Sequence, residues 1–521
     1  MRVPGILLAA PASGSGKTAA ACALMSAFKG RGLTVRACKC GPDYIDPMFH
    51  RVVLGVDSRN LDLFFSGGEE LRAGYADHVS GADLAVTEGV MGYYDGMSMD
   101  SDAASSYDVS RTLGLPVILV LPCGGASLSL SAVAKGMVEY RPDSRIRGIL
   151  LNRVSGMLYP RLKSMLEREL RKMGHEIPVV GYMPEDEAFS FESRHLGLVT
   201  PQELDSVKEQ TRRAGELLAQ TVDLDLILGI AEEEAAPGAE EEKEPYGEKW
   251  EALKESGGEG KTRTEGGKSS GTEIRIGVAR DRAFCFYYKE NMELLEKMGC
   301  SLIPFSPLSD PELPGELDGL ILGGGYPELY ARQLSENRGM RESVWEAVRL
   351  GMPCLAECGG FMYLHEEMED GEGNAYPMAG VIPGRTFPAG KLVRFGYINV
   401  SAADEGDPAS DGKDARLNGP QVQTKEPQAQ GQWYLRPGES IRGHEFHYWD
   451  STDSGHGCEA VKPDGRRRWK CIHAEGNLFA GYPHLYLPSL PVFAERFVKR
   501  CAERRRGGSG GKEDEAERSI G

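Results

Sequence analysis

The amino-acid sequence predicts an α/β protein with two domains, each built on a mainly parallel sheet. The chain has 521 residues, which is enough for several domains of ordinary size. Short apolar runs alternate with amphipathic stretches, a pattern typical of parallel strands covered by helices. The pattern is broken once, between residues 231 and 272, by a stretch rich in Glu, Gly, Lys and Ser with almost no aliphatic residues.

That stretch divides the chain. Because it cannot bury enough apolar surface to offset the loss of chain entropy, we expect an acidic, disordered linker in which only short pieces form helix. The first domain is therefore predicted at 1–230 and the second at 273–506. Two further weakly apolar stretches predict a surface insertion at about 401–431 and a flexible tail at 507–521.

Each predicted strand is a short, mainly apolar run. In the first domain the runs predict strands at 5–10, 33–38, 84–88, 117–121 and 146–152, with helices at 17–29 and 127–140. In the second domain they predict strands at 274–279, 302–305, 319–322 and 354–357, with a helix at 361–367.

Composition narrows the classes of partner. The formal charge of −18 leaves no global positive field for nucleic acid or an anionic membrane. No apolar run reaches the roughly 18 residues of a spanning helix, and the first apolar run is too short for a signal peptide. Eleven cysteines without zinc-type spacing indicate free thiols in a reducing compartment. We therefore expect a cytoplasmic protein that acts on small molecules.

A phosphate-binding loop follows the first predicted strand and opens a helix. Its backbone N–H groups would surround phosphate oxygens, Lys17 would reach the β- and γ-phosphates, and Thr18 would offer a hydroxyl to Mg²⁺. Pro11 stands where such loops usually begin with glycine, and an ordinary glycine turn is the alternative. The predicted ATP site comprises Ser13, Gly14, Ser15, Gly16, Lys17 and Thr18.

Acidic residues follow two other predicted strands. Glu88 ends an apolar run and precedes a glycine, so its carboxylate should lie at the carboxyl edge of the sheet as a Mg²⁺ ligand. Asp43 and Asp46 follow a Gly-Pro turn, where they would provide a second Mg²⁺ contact or order the second substrate. A solvent-exposed acid or a simple turn is the alternative for each.

In the second domain, Cys358 lies between a predicted strand and a helix and is followed by two glycines. This pattern predicts an exposed nucleophile whose thiol pKa is lowered by the helix N-terminus. The N–H of Gly359 and one from 323–325 would form an oxyanion hole. A buried packing cysteine is the alternative.

A thiol nucleophile needs a general base, and this domain offers several histidines. His444 and His447 lie in a segment that favours a strand over a zinc site, because the second histidine comes one residue too early for the zinc motif. An ordinary structural histidine is the alternative at each position. The residues alone do not choose among His444, His447, His473 and His484.

Several motifs together resemble one family, the cobyrinic acid a,c-diamide synthases, including the enzymes that act on hydrogenobyrinic acid. They lie in order through both predicted domains and cover most of the chain outside the linker, insertion and tail. The motifs are APASGSGKT (10–18), KCGPDYIDPMFH (39–50), EGVMGYYDG (88–96), GGGYPE (323–328), AECGGFMYL (356–364), GHEFHY (443–448) and GNLFAGYPHLY (476–486).

The resemblance implies an ATPase domain similar to dethiobiotin synthetase and a class I glutamine amidotransferase domain with a flavodoxin-like sheet. It implies that Cys358 attacks the glutamine amide and that His484 activates it. Within 323–325, we assign Gly324 to the oxyanion hole with Gly359. Ordinary class I amidotransferases carry a glutamate two residues after this histidine, where this chain has Tyr486.

The resemblance also implies a reaction. ATP would phosphorylate the c- and a-carboxylates of the corrin ring, and ammonia released from glutamine would displace phosphate to leave carboxamides. It implies Mg²⁺ as the metal, held by Thr18, Glu88 and Asp46, with Asp43 and Asp95 ordering the substrate. The partners would be ATP, glutamine and a corrin polycarboxylate, and a homodimer is one candidate assembly.

Two alternatives remain at this stage. One is a relative that amidates another tetrapyrrole, such as nickel-sirohydrochlorin. The other is a partition-type ATPase switch, although such switches carry an extra lysine where this chain has Ala12. Lys39 and Arg36 are candidates for local positive charge near a polyanionic substrate, but solvated surface positions are the simpler expectation for both.

Overall fold

A computed structural model describes residues 3–191, 201–235, 273–403 and 434–518. Contacts divide the chain into two compact units, Met1–Ser269 and Ser270–Gly521, and each is described by itself. Within the described residues, no helix is both long and apolar enough to cross a membrane.

The first unit is built on a seven-stranded parallel sheet in the order β3-β2-β4-β1-β5-β6-β7. Its central strands are short aliphatic runs that are buried on both faces, which is why they lack the alternating pattern of a half-exposed strand. The strands are β1 Gly5–Ala9, β2 Val35–Cys40, β3 Ser58–Leu61, β4 Leu84–Glu88, β5 Val117–Pro122, β6 Ile146–Asn152 and β7 Val179–Met183.

Helices cover both faces of this sheet, and each face has its own core. The helices are α1 Lys17–Gly30, α2 Ile45–Val52, α3 Gly68–Val79, α4 Ser106–Leu113, α5 Ser129–Glu139, α6 Tyr159–Lys172, α7 Pro201–Thr221 and α8 Leu224–Ala235. One face is covered by α1, α2, α7 and α8, and the other face by α3 to α6.

The second unit combines a parallel sheet with smaller antiparallel ones. The main sheet has the order β10-β8-β11-β13-β23-β22, and only β22 runs antiparallel to its neighbour. A two-stranded ribbon β12-β9, a four-stranded sheet β15-β14-β16-β19 and a five-stranded sheet β21-β20-β17-β18-β24 complete it.

The strands of the second unit are β8 Ile274–Ala279, β9 Phe284–Phe286, β10 Cys300–Phe305, β11 Gly319–Leu322, β12 Gly324–Gly325, β13 Cys354–Glu357, β14 His365–Glu369, β15 Ala375–Pro377, β16 Ile382–Pro388, β17 Arg394–Ala402, β18 Ser440–His447, β19 Trp449–Ser451, β20 Cys458–Val461, β21 Arg468–Cys471, β22 His473–Glu475, β23 Leu478–Gly481 and β24 His484–Leu485. The helices are α9 Lys289–Lys297, α10 Ala331–Glu336, α11 Arg338–Arg349, α12 Gly359–Leu364 and α13 Pro491–Arg518.

The predicted α/β class is confirmed, and several predicted bounds are wrong. The helix predicted at 361–367 is α12, which begins at Gly359 and ends at Leu364, because His365–Glu369 is extended and pairs as β14 with β15 and β16. The second strand of the first unit is displaced by two residues to Val35–Cys40.

The predicted linker, insertion and tail fall largely outside the described residues. The first residues of the predicted linker belong to α8, where Ala231 is buried in the core, so the proposed start at residue 231 is too early. Residues 236–272 and 404–433 are not among those described. The helix α13 runs to Arg518, so no helix end marks the tail boundary predicted at residue 507.

Candidate active sites

The loop after β1 has the backbone geometry of a phosphate-binding loop. Gly14 and Gly16 have φ values of 74° and 96°, in the left-handed region that favours glycine, and α1 begins directly after Gly16. A Cβ on Gly16 would lie 2.2 Å from Nδ2 of Asn152, which donates a 2.8 Å hydrogen bond to the Ser15 carbonyl. Asn152 ends β6 at the same sheet edge, a position that sequence reasoning overlooked.

Lys17 is folded back over this loop. Its Nζ donates to the carbonyl of Ala12 at 3.1 Å and to that of Met91. Burial lowers the pKa of Lys17 to about 8, and the nearby Lys39 acts in the same direction. Among the other predicted loop residues, Ser13 is exposed and Ser15 donates from Oγ to the Ala12 carbonyl at 2.8 Å. An anionic phosphate in the loop would further favour the charged form of Lys17.

Glu88 is the centre of a buried ionic cluster. Thr18 Oγ1 donates to Glu88 Oε1 at 2.5 Å, and Lys39 Nζ lies 2.8 Å from Glu88 Oε1 and 2.6 Å from Asp46 Oδ2. His50 Nε2 lies 3.5 Å from Glu88 Oε2. The sheet register explains this convergence, since Lys39 and Glu88 are partners on neighbouring strands β2 and β4. The structure thus brings together the three predicted Mg²⁺ ligands, Thr18, Glu88 and Asp46.

The expectation that Lys39 is a solvated surface residue is wrong. Burial alone would disfavour its ammonium, but the carboxylates of Asp46 and Glu88 outweigh that penalty and raise the pKa of Lys39. Burial likewise raises the pKa of Glu88, but Lys39 and His50 outweigh it, so the net shift is well below the ordinary value. Lys39 therefore neutralises two buried carboxylates.

We expect Lys39→Met to destabilise the first unit by about 3–5 kcal/mol at pH 7.5, because it leaves buried carboxylates without a counter-charge. In the native chain the depressed pKa of Glu88 contributes stability above the ordinary carboxyl range, and that contribution is lost as pH falls. In the variant, protonation instead relieves the unpaired carboxylates. The difference in unfolding free energy between the native chain and Lys39→Met should therefore shrink as pH falls from 7.5 toward about 4.5.

Urea unfolding followed by circular dichroism at both pH values measures this difference. Lys135→Met is the matched control, since Lys135 forms a half-exposed pair with Glu139 on α5 and should cost less than about 1 kcal/mol. If Lys39→Met lost the same unfolding free energy at both pH values, the loss would not come from unpaired carboxylates.

Asp43 and Asp95 have local structural partners. Asp43 Oδ1 accepts the N–H groups of Ile45 at 2.8 Å and Asp46 at 3.1 Å, which caps the start of α2. Asp95 Oδ2 accepts the Gly92 N–H at 2.8 Å, in a turn where a Cβ on Gly92 would lie 2.7 Å from the Pro11 carbonyl. Both shape loops beside the phosphate loop, and their predicted role in ordering substrate stays a prediction.

The oxygen donors at this site suit Mg²⁺. No group of three or more His, Cys, Asp or Glu side chains suited to a metal ion occurs in the part of the chain that the structure describes. Two carboxylates and a hydroxyl, from Glu88, Asp46 and Thr18, are instead a partial set. Mg²⁺ is commonly held in this way, by one or two carboxylates together with phosphate oxygens and water.

In the second unit, Cys358 occupies a strained turn between β13 and α12. Its φ is 47°, which is unusual for a residue other than glycine and typical of a nucleophile elbow. The next two residues allow close approach of the preceding loop. A Cβ on Gly360 would lie 2.0 Å from the Leu322 carbonyl, and one on Gly359 would lie 2.8 Å from Cδ of Pro327.

We expect Gly360→Ala to destabilise the second unit by about 3 kcal/mol or more, because the added methyl overlaps a backbone carbonyl that cannot easily move. Thermal unfolding followed by circular dichroism measures the loss. Gly371→Ala is the control, since a Cβ there meets nothing within 4 Å. Equal melting temperatures for the two variants would show that the turn adapts to the added methyl.

The predicted low thiol pKa of Cys358 is wrong. Burial raises the pKa of the Cys358 thiol, the carboxyl of Glu328 adds to the effect, and the Gly359 N–H offsets only part of it. Desolvation thus outweighs the single backbone donor at the start of the short helix α12. Formation of a thiolate here needs a base that accepts the proton.

His484 lies against the loop that touches the cysteine turn. A Cβ on Gly324 would lie 2.4 Å from Cε1 of His484, and one on Gly359 would lie 3.1 Å from the Gly325 nitrogen. Burial lowers the pKa of His484 to about 3, so its imidazole is neutral at neutral pH. The structure therefore brings Cys358, Gly359, Gly324 and His484 to one place.

The other three histidines have different surroundings. His444 stacks on His484 with ring centroids 4.9 Å apart and hydrogen-bonds the Tyr288 hydroxyl through Nδ1 at 2.9 Å. His447 stacks on the Tyr482 ring at 3.8 Å, and β18 carries both histidines, as predicted for the segment. His473 Nε2 lies 3.2 Å from the Asp453 carbonyl. Of the four, His484 is the one that borders the loop 323–325.

Two carboxyl groups near the sulfur were missed by sequence reasoning. Glu357 Oε1 accepts the Leu485 N–H at 3.1 Å, and its Oε2 lies 3.8 Å from His484 Nδ1. Burial raises the pKa of Glu357 to about 8 and that of Glu328 to about 7. The signal for Glu357 was its place directly before the cysteine at the end of a central strand.

These two sites define a protein that joins a nucleotide-binding domain to a glutamine amidotransferase domain. Residues 6–199 match the model of the CobQ/CobB/MinD/ParA nucleotide binding domain, and residues 275–490 match the CobB/CobQ-like glutamine amidotransferase domain. The particular family follows from whole-chain relatives.

The chain is 35% identical to the cobyrinate a,c-diamide synthase of Caldanaerobacter subterraneus subsp. tengcongensis over 95% of this chain and 98% of the relative. It is 35% identical to that of Listeria innocua serovar 6a over 94% and 97%, respectively. It is 34% identical to that of Salmonella typhimurium, again over 94% and 97%. The chain belongs to the cobyrinate a,c-diamide synthase family.

Proposed function

We propose that this protein amidates the a- and c-carboxylates of cobyrinate, or of its metal-free counterpart hydrogenobyrinate, with ATP as the activator and glutamine as the nitrogen donor. The observation that carries the proposal is the pairing of two sites in one chain of this family. A phosphate loop with a buried carboxylate cluster suits carboxylate activation, and a cysteine elbow bordered by His484 suits release of ammonia from glutamine.

In the amidotransferase half, Cys358 is the nucleophile and His484 the base. His484 takes the thiol proton as the sulfur attacks the glutamine Cδ, and the amide oxygen becomes an oxyanion near the N–H groups of Gly359 and Gly324. Return of the proton to the amide nitrogen releases ammonia and leaves a thioester. Water then hydrolyses the thioester to glutamate and restores the thiol.

In the synthetase half, the loop from Ser13 to Thr18 holds the ATP phosphates and Lys17 neutralises charge on the group transferred. A carboxylate oxygen of the substrate attacks the γ-phosphorus, ADP leaves, and an acyl phosphate forms. Mg²⁺ bound by Thr18, Glu88 and Asp46 would supply electrostatic stabilisation of the phosphate oxygens. Ammonia then attacks the acyl carbon and phosphate departs, which leaves a carboxamide.

The phosphorylation step answers a chemical difficulty. A carboxylate is a poor electrophile at neutral pH, because its negative charge repels a nucleophile and it lacks a good leaving group. The acyl phosphate removes both obstacles. Ammonia in neutral water is mostly protonated, so release within an enclosed site keeps it in the reactive form.

The amidotransferase unit argues against the partition-type switch as a second function, since such a switch has no use for a cysteine elbow. A homodimer stays a prediction, which light scattering of the purified chain would test. A different tetrapyrrole substrate, such as nickel-sirohydrochlorin, has no specific observation in its favour.

The test is incubation of the purified chain with ATP, Mg²⁺, glutamine and cobyrinic acid, followed by mass spectrometry of the products. We expect a diamide to form through a monoamide, with one ADP released for each carboxamide. Metal-free hydrogenobyrinate and nickel-sirohydrochlorin are the comparison substrates. Glutamine hydrolysis with neither cobyrinate nor hydrogenobyrinate amidated would disprove the proposed substrate while retaining the amidotransferase.

A further inference from the structure

Glu357 links the strand of the cysteine to the strand of the histidine. It is the last residue of β13, directly before Cys358, and its Oε1 accepts the N–H of Leu485, the residue after His484, at 3.1 Å. The second carboxylate oxygen, Oε2, lies 3.8 Å from Nδ1 of His484. One carboxylate is therefore fixed to the backbone of β24 and faces the imidazole of the same strand.

This placement matters because a neutral imidazole has two tautomers. Only the tautomer with the proton on Nδ1 leaves Nε2 free to accept a proton from a thiol. A carboxylate opposite Nδ1 favours that tautomer, fixes the ring, and stabilises the imidazolium that forms when the thiol gives up its proton. The 3.8 Å between Nδ1 and Oε2 is the distance of an ion pair, and hydrogen bonds between catalytic groups commonly shorten when substrate binds.

We propose that Glu357 is the positioning residue of the amidotransferase site, with its carboxylate holding the Nδ1 side of His484 so that Nε2 accepts the thiol proton of Cys358. The inference rests on the proposed function, because it assigns His484 as the base. It also supplies a carboxylate partner where the chain has Tyr486 two residues after the histidine. The carboxylate reaches the imidazole from the nucleophile strand.

Burial affects the protonation states of both Glu357 and His484. His484 is almost fully buried and the Glu357 side chain is about one-fifth exposed, with relative accessibilities of 3% and 21%. Burial raises the pKa of Glu357 and lowers that of His484, so each group alone resists ionisation. Because burial raises the pKa of Glu357 to about 8, its carboxylate form prevails at alkaline pH or beside a charged imidazolium, and the imidazolium formed when Cys358 is deprotonated then gains a counter-charge.

Other titratable groups also face this pair and must be considered in any pH profile. His444 stacks on the His484 ring from β18, and His447 on the same strand further disfavours the charged form of His484. The carboxyls of Glu328 and Glu445 contribute to the raised pKa of Cys358, and Glu357 itself adds a smaller effect in the same direction. A substitution at Glu357 alone leaves these four groups in place, so a change in the profile reports on Glu357.

The test uses Glu357→Gln in the full-length chain. The amide oxygen can still accept the Leu485 N–H, but the amide nitrogen then faces Nδ1 and favours the wrong tautomer. We expect the glutamine-dependent rate to fall by about ten- to a hundredfold. Alkylation of Cys358 by iodoacetamide, followed across pH by mass spectrometry, should shift to higher pH by about one pH unit, because the loss of the imidazolium's counter-charge outweighs the smaller direct effect of the Glu357 carboxyl on the thiol. Amidation with added ammonia should be unchanged.

Two further variants make the result decisive. Glu357→Asp keeps the charge on a shorter side chain and should alkylate at a pH between that of the wild type and that of Glu357→Gln. Glu366→Gln is the matched control, since Glu366 is an exposed carboxylate on β14 that also accepts one backbone N–H, from Gly384 at 2.9 Å. It should behave as the wild type in every assay.

Three outcomes would decide against Glu357. Wild-type glutaminase activity in Glu357→Gln would overturn the inference. Loss of activity with an unchanged alkylation profile would also overturn it, because that combination indicates a purely structural role. A shift of the same size in Glu357→Asp and Glu357→Gln would exclude a role for the charge. Absence of glutaminase activity from the wild-type chain would instead refute the proposed function.

Discussion

Replacement of Cys358 by alanine should abolish amidation with glutamine while sparing amidation with added ammonia. Cys358 is the only cysteine of the described chain that lies in a positive-φ turn, with a φ of 47°. Removal of a nucleophile costs about 10³-fold or more in rate, because no other group forms the covalent intermediate. The acyl phosphate still forms, so ammonia supplied from solution at alkaline pH should still yield the amide.

The matched control is Cys354→Ala, four residues earlier at the start of β13. Cys354 is fully buried, and burial raises the pKa of its thiol to about 12. Its loss should cost stability but leave both nitrogen donors usable. Equal loss of the glutamine- and ammonia-dependent rates in Cys358→Ala would contradict the assignment, because it would place the defect in the synthetase half or in folding.

The phosphate loop was predictable because its function is local. The loop residues, the strand before them and the helix after them lie within one short stretch, and the φ values of Gly14 and Gly16 bear out the need for glycine there. Glu88 was predictable for a related reason, since parallel strands end at one edge of the sheet. Strand order was needed to reveal that Lys39 is its neighbour.

The buried state of Lys39 could not be inferred from the sequence. A lysine at the end of a strand is usually solvated, and only the pairing of β2 with β4 shows that carboxylates surround it. The same holds for Asn152, which meets the phosphate loop from β6 across 137 positions of chain. Long-range partners of this kind depend on topology, which the apolar pattern alone does not specify.

In the second unit the central strands were predictable and the antiparallel sheets were not. Strands such as β11 are continuous apolar runs, whereas those of the smaller sheets are short or mixed in polarity. The thiol pKa of Cys358 was mispredicted because the sequence shows a helix N-terminus but not the depth of burial. Glu357 was missed because only the approach of β24 brings His484 opposite it.

Replacement of Lys17 by methionine should abolish ATP-dependent amidation with either nitrogen donor. Lys17 follows the left-handed Gly16, and its Nζ lies over the loop carbonyls, where a γ-phosphate would give it a charged partner. Methionine keeps the length and apolar stem but removes the charge, so we expect a fall of about 10²- to 10³-fold in ADP release and amide formation. Glutamine hydrolysis depends on the other unit and should persist.

Lys29→Met provides the control for this experiment, because Lys29 lies exposed at the far end of the same helix α1 and bonds only backbone carbonyls after α2. It should retain ADP release and amidation. The two central variants then form a complementary pair: Cys358→Ala loses only the glutamine-dependent reaction, whereas Lys17→Met loses both amidation reactions. Retention of ammonia-dependent amidation by Lys17→Met would mean that the phosphate loop does not activate the carboxylate, and the proposed division of labour would fail.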